Sequence, residues 1–339
     1  MRRLIPALML AALATSAGAA AVAQADPAAA CAHGLKVAAQ DDNHVFCSHG
    51  PDSADAVGDL GLPGGGTTPT PAPCIGDGAS GARIEVVYGA PSDVPNDYTN
   101  KVASIRTAID QADQYFEASD ASTTQHLRWL CSGGSVVVDD VTLVPIGNDG
   151  AYTYQDVYNS LNPRGKGKKT TGPTYNSASR VYVVFVDGLT SSNYPYCGQG
   201  SVDADDSPAT TNRNNVGPAY ALIACWTGHT ALHEIGHMLG AVQLSAPHSS
   251  GAYHCYDDAD IMCYNDGGSY FAGPDGVNGT SDDRSLVMAC AGTATVLGTS
   301  APDDNQFDCN EDDYYNPAPA AGSYIAQHWN LARSAWVQG

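Results

Sequence analysis

Positive charge is what this sequence has least of. Its 15 Lys and Arg stand against 36 Asp and Glu, a formal net charge of −21 over 339 residues. So acidic a chain repels nucleic acid and anionic lipid, which argues against both as partners. The single cationic cluster, Arg164-Gly-Lys-Gly-Lys-Lys169, is short and isolated and reads as a solvated loop. Long apolar runs are missing too. Beyond Leu4 to Ala23 no stretch is long enough to span a bilayer, so no stable membrane association is expected. C-x-x-C spacing is absent, and with it the usual signature of a thiolate metal cluster.

What is present organises the chain into three parts. Met1-Arg2-Arg3, the apolar run and Ala23-Gln24-Ala25 form a secretory signal, so residues 1–25 are expected to be removed and the protein secreted to the extracellular space. Ten cysteines, an even number behind such a signal, predict disulfides. Cys31–Cys47, Cys255–Cys263 and Cys290–Cys309 are the natural local pairs, leaving Cys74, Cys131, Cys197 and Cys225 to pair at longer range. Residues 26–73 are too few to bury a core of their own. They read as a short Cys-containing pro-segment or spacer, and Gly61 to Pro73 is its Gly/Pro/Thr-rich tether. Residues 74–339 form the main domain, expected to be monomeric.

Within that domain Arg83–Tyr88, Ser135–Ile146, Arg180–Val186 and Ala219–Trp226 have the β-branched and aromatic content of strands. Val102, Ile105, Ile109, Ala112 and Phe116 recur at helical spacing, so an amphipathic helix is expected over Tyr98 to about Ser119. The order predicts an α/β domain with a mixed sheet. Beyond Gly240 the chain turns irregular and rich in Gly, Asp and Cys, a disulfide-stapled subdomain ending in a helix over Ser323 to about Ala335. Two acidic loops, Asp275–Asp283 and Asp308–Asp313, offer the oxygen ligands that calcium takes. Asn278-Gly-Thr280 matches the glycosylation acceptor pattern.

The chemistry concentrates in His233-Glu-Ile-Gly-His237. Residues four apart share one helix face, so His233 and His237 can present two imidazole nitrogens to one zinc ion. Glu234 is placed to take a proton from an attacking water. Apolar Ala231, Leu232, Ile235, Met238 and Leu239 suit a buried helix, and Gly240 a helix stop. His229 cannot join both histidines on one ion, because it lies about 12 Å from His237 along a helix axis.

The pattern H-E-x-x-H-x-x-G, followed by Asp260-Ile-Met262-Cys-Tyr264, resembles the metzincin clan of secreted zinc metallopeptidases. The resemblance implies a metzincin-like catalytic domain with a twisted mixed sheet, a methionine turn at Met262 beneath the metal, and Tyr264 as a stabiliser of the transition state. It also implies a third ligand six residues after His237, where this chain has Gln243. A neutral amide is a poor zinc ligand. His248 is therefore the preferred third ligand, with Gln243, His254 or an aspartate as alternatives. The expected function is a zinc endopeptidase acting on protein or peptide substrates. The alternatives are a zinc amidase acting on cell-wall peptides and a non-catalytic zinc-containing extracellular binding protein.

Overall fold

Alternation along the strands decides which side of the sheet each helix covers. Ile84, Val86 and Tyr88 point to one face together with Val181, Val183 and Phe185; Val87, Tyr182, Val184, Tyr220 and Leu222 point to the other, and all are buried. The computed structural model describes residues 31–41, 43–53, 69–119, 125–147, 151–162, 175–287 and 306–338.

Strands β1 (Lys36–Gln40) and β2 (Val45–Ser48) make an antiparallel hairpin, and β3 (Asp52–Ser53) follows. Then come β4 (Arg83–Pro91), α1 (Tyr98–Ala118), the short β5 (His126–Leu127), β6 (Cys131–Ser132) and β7 (Ser135–Val136), β8 (Val138–Leu143) and α2 (Tyr154–Leu161). Strands β9 (Arg180–Val186), β10 (Tyr196–Gly200) and β11 (Tyr220–Ile223) lead into α3 (Gly228–Met238). The chain closes with α4 (Tyr324–Gln327) and β12 (Val337–Gln338). The main sheet has six strands in the order β3-β10-β11-β9-β4-β8. Strands β11, β9, β4 and β8 are parallel, whereas β10 runs antiparallel to β11 and β3 antiparallel to β10.

Helices α1 and α3 cover the first face. Ile105, Ile109 and Phe116 pack with Leu232 and Ile235 into one core that also holds Met262, Phe307 and Trp336. Helix α2 covers the second face with Tyr154, Val157, Tyr158 and Leu161, where Ala39 and Phe46 of the N-terminal hairpin join it. That hairpin thus solves its shortage of core by borrowing one. The expected strands at Arg83, Arg180 and Ala219 and the helix from Tyr98 are present, while Ser135–Ile146 is split at Val137 into β7 and β8. Helix α2 and strand β10 were not foreseen.

The closing helix is a correction. Only Tyr324–Gln327 and a single 3-10 turn at Leu331–Arg333 are helical, with extended backbone at His328 between them. Side-chain hydrogen bonds win over helix propensity here. Trp329 Nε1 donates to the Leu239 carbonyl at 2.7 Å, Trp336 Nε1 donates to the Asn214 carbonyl at 2.9 Å, and the Asn330 side-chain Oδ1 accepts from Ala332 N–H.

Cys31–Cys47 and Cys255–Cys263 are bonded as expected, and the longer-range pairs are Cys74–Cys131 and Cys197–Cys225. Cys309 is disulfide-bonded, while Cys290, its expected partner, lies outside the described residues, as do the signal segment and the basic loop. No helix among the described residues is long and apolar enough to cross a membrane.

Candidate metal centre

Helix α3 starts where Thr227 accepts the Thr230 N–H, and Gly240 follows its last turn at φ +85°. Every residue from Gly228 to Met238 is buried, so His233, Glu234 and His237 sit on an enclosed helix face. His237 Nε2 lies 3.1 Å from His233 Nε2 and 3.1 Å from His254 Nε2. His254 comes from the loop after α3 and is fully buried beside them.

The outer ring nitrogens fix these orientations. His233 Nδ1 donates to the Ile261 carbonyl at 2.7 Å, and His254 Nδ1 pairs with Asp266 Oδ2 at 3.0 Å. Partners of this kind set the tautomer and turn Nε2 toward a metal. An ion with bonds of about 2.0–2.1 Å holds tetrahedral ligand atoms about 3.3–3.4 Å apart, close to the spacing of these nitrogens. Imidazole nitrogens gathered this closely, with the Asp52 carboxylate among them, are groups that could hold a metal ion.

Two carboxylates and a phenol complete the cluster. Asp52, in the short edge strand β3, is fully buried. Its Oδ1 lies 3.3 Å from His254 Nε2 and accepts from Tyr264 Oη at 2.5 Å; its Oδ2 lies 3.6 Å from His233 Nε2 and 4.0 Å from His237 Nε2. Burial alone would raise its pKa, but His49, His233 and His254 more than offset this and hold the carboxyl well below its usual range. Glu234 is pushed the other way. Burial first, and then the Asp52 charge, raise it well above the ordinary carboxylate range. Both Glu234 oxygens are buried without a hydrogen-bond partner.

Strand β10 comes unusually close to α3. A Cβ on Gly198 would overlap Glu234 Oε1, and one on Gly200 would sit 2.8 Å from the Glu234 carbonyl oxygen. Glycine is therefore required there by the close approach of strand to helix. Gly198→Ala should cost about 1–3 kcal/mol as an overpacked site and displace Glu234. Chemical denaturation checks it: a variant as stable as the parent would mean that the contact has slack. Met262 packs against the helix, its Sδ 2.5 Å from where a Cβ on Gly236 would stand.

Of the residues singled out in the sequence, His233, Glu234, His237 and Tyr264 are brought together here. His248 is not. Its Nδ1 is held by Asp313 at 3.1 Å and Asp312 at 3.4 Å, and its N–H by Asp313 Oδ1. Gln243 is not at the cluster either; its amide donates to the carbonyls of Asp203 and Gly240, pinning the turn after α3. His229 stacks on His233 with ring centres 6.4 Å apart. The acidic loops use their carboxylates on backbone N–H groups: Asp282 holds Asp275, Asp283 holds Gly279 and Thr280, and Asp308 holds Asp312, Asp313, Tyr314 and Tyr315.

Hydrogen bonds that the His248 ring donates to Asp312 and Asp313 push its pKa up to about 10. The sign follows: folding favours the protonated form, so the pair stabilises fully below about pH 6.5, loses strength as pH rises, and contributes nothing above about 10. The difference in denaturation midpoint between the parent and His248→Gln should therefore shrink from pH 6 to pH 10. A difference that stays constant would remove the ion pair as its cause.

His254 carried a weak signal. It precedes Cys255, Tyr264 follows Cys263, and the Cys255–Cys263 bridge draws the two flanking side chains together, their rings 4.2 Å apart. Asp52 carried none, because β3 is two residues long and joins the sheet only through β10.

No protein-family model matches the sequence, and no curated protein matches it. Among solved structures, the crystal structure of metalloproteinase-II from Bacteroides fragilis is similar at 17% identity and a TM-score of 0.30. That alignment covers 62% of this chain and 53% of the other, so the chain spans about half the length of that protein.

Proposed function

We propose that this chain is a metzincin-like zinc endopeptidase held latent by its own N-terminal segment. The observation that carries the reading is the convergence of His233, His237 and His254 Nε2 beside the unpartnered carboxyl of Glu234. Zinc at that point supplies a Lewis acid, which acidifies water and polarises the scissile carbonyl. Glu234 takes the proton of the attacking water and delivers it to the leaving amine. Burial makes this carboxylate more basic than a solvated one, which suits proton transfer near neutral pH.

Latency rests on Asp52. A site open to substrate exposes its reacting groups, whereas here Asp52, Glu234 and the three histidines are all fully buried. Strand β3 covers them by pairing with β10. Once β3 withdraws, β10 becomes a sheet edge able to pair with an extended peptide. The Tyr264 hydroxyl, now donating to Asp52 Oδ1, is then free to donate to the oxyanion formed at the scissile carbonyl.

The test is hydrolysis of casein by the full chain, by Asp52→Ala and by Asp52→Ala/Glu234→Gln. Activity should rise in the first variant and vanish in the second. Digestion of peptidoglycan but not casein by Asp52→Ala would select the cell-wall amidase. Zinc binding without hydrolysis of either would select the binding protein.

A further inference from the structure

We propose that His49 is a second metal ligand supplied by the N-terminal segment, so that the latent chain closes four imidazoles and the Asp52 carboxylate around one ion. The proposal rests on the zinc reading above and adds to it a residue that the reading does not require. His49 lies in the turn between β2 and β3, and its ring packs 4.3 Å from that of His237 and 4.5 Å from that of His254. Its Nε2 is 3.7 Å from Asp52 Oδ2, and that nitrogen is buried with no hydrogen-bond partner. One donor atom each from His49, Asp52, His237 and His254 falls within 4.8 Å of all the others.

A buried ring nitrogen left without a partner costs roughly 1–3 kcal/mol, so its position calls for a ligand or a proton. The neighbours that it faces are other metal-ligating atoms, which points to the ion. The turn is shaped to deliver both groups. Gly50 sits at φ +133°, a conformation that L side chains rarely adopt, and its N–H is held by Ser48 Oγ at 3.0 Å. This folds His49 and Asp52, three residues apart, onto the same side. Zinc is mostly four-coordinate but can expand to five ligands, so a His–Asp clip from the segment is accommodated without displacing any of the three histidines of the main domain. Two attachment points in place of one also make withdrawal of β3 a two-bond event.

The experiment uses the full chain loaded with cobalt(II) and counts the hyperfine-shifted, exchangeable imidazole N–H signals in its proton NMR spectrum. The expected counts are four in the parent and in Asp52→Asn, and three in His49→Phe. Loss of zinc to a chelator should also be about tenfold or more faster in His49→Phe than in the parent. Three signals in the parent overturn the assignment of His49 while leaving the three-histidine site standing, and this count needs no variant to fold. An unchanged count in His49→Phe overturns it equally. No shifted signal in the parent overturns the zinc reading itself together with this proposal.

Discussion

Glu234→Gln, made in the Asp52→Ala background, is expected to lower peptide hydrolysis by roughly 10²–10⁴-fold, the usual contribution of a general base. It should leave metal content unchanged, because the three Nε2 atoms that converge belong to His233, His237 and His254. Stability should not suffer either. Burial is the first cause that raises the Glu234 carboxyl above the ordinary carboxylate range, so the side chain favours its neutral form there and an amide of nearly the same shape takes its place. This separates loss of chemistry from loss of fold. The readouts are the rate of casein hydrolysis, zinc per chain and the denaturation midpoint. A variant with near-parental turnover would remove Glu234 from the mechanism.

His254→Ala should have the other large effect, weakening zinc binding by more than about 100-fold, since it removes a ligand and not merely an orienting partner. His248→Ala and Gln243→Ala should keep full occupancy, because each side chain is committed elsewhere: His248 to Asp312 and Asp313, Gln243 to the carbonyls of Asp203 and Gly240. Metal analysis of the three purified variants makes the comparison. Zinc lost from His248→Ala and kept in His254→Ala would reverse the assignment.

That reversal between His248 and His254 shows where reading a sequence reaches its limit. Periodicity located α1 and the helix bearing His233 and His237, since both faces repeat every few residues and nothing distant overrides them. The strands expected over Arg83–Tyr88 and Arg180–Val186 were visible in their β-branched and aromatic content, the first running on to Pro91. Ligand chemistry argues against Gln243, and its amide is engaged by the carbonyls of Asp203 and Gly240. Choosing between two loop histidines, however, depends on where the folded loop carries each side chain, and even the expected Cys255–Cys263 pair does not show that from spacing alone. His254 is placed by the Cys255–Cys263 bridge and the Asp266 carboxylate, both of which act through tertiary structure.

The N-terminal segment was the least legible part. Ser48-His-Gly-Pro-Asp52 has no periodicity and no recognisable motif, and β3 exists only because β10 pairs with it. Its importance arises from burial. Asp52 and His49 matter because they are pressed against three histidines that lie about two hundred residues away in the chain. The glycines of β10 fall in the same class, for Gly198 is explained only by the Glu234 side chain opposite it.

The proposed reading stands or falls with one zinc ion held by His233, His237 and His254. Anomalous diffraction from crystals of the intact, zinc-loaded protein, recorded on both sides of the zinc absorption edge, tests it most directly. One strong difference peak is expected about 2.0–2.1 Å from the Nε2 atoms of those three residues, with Asp52 against it. A peak instead between His248, Asp312 and Asp313, or a zinc at His233 and His237 that leaves His254 uncoordinated, would contradict it.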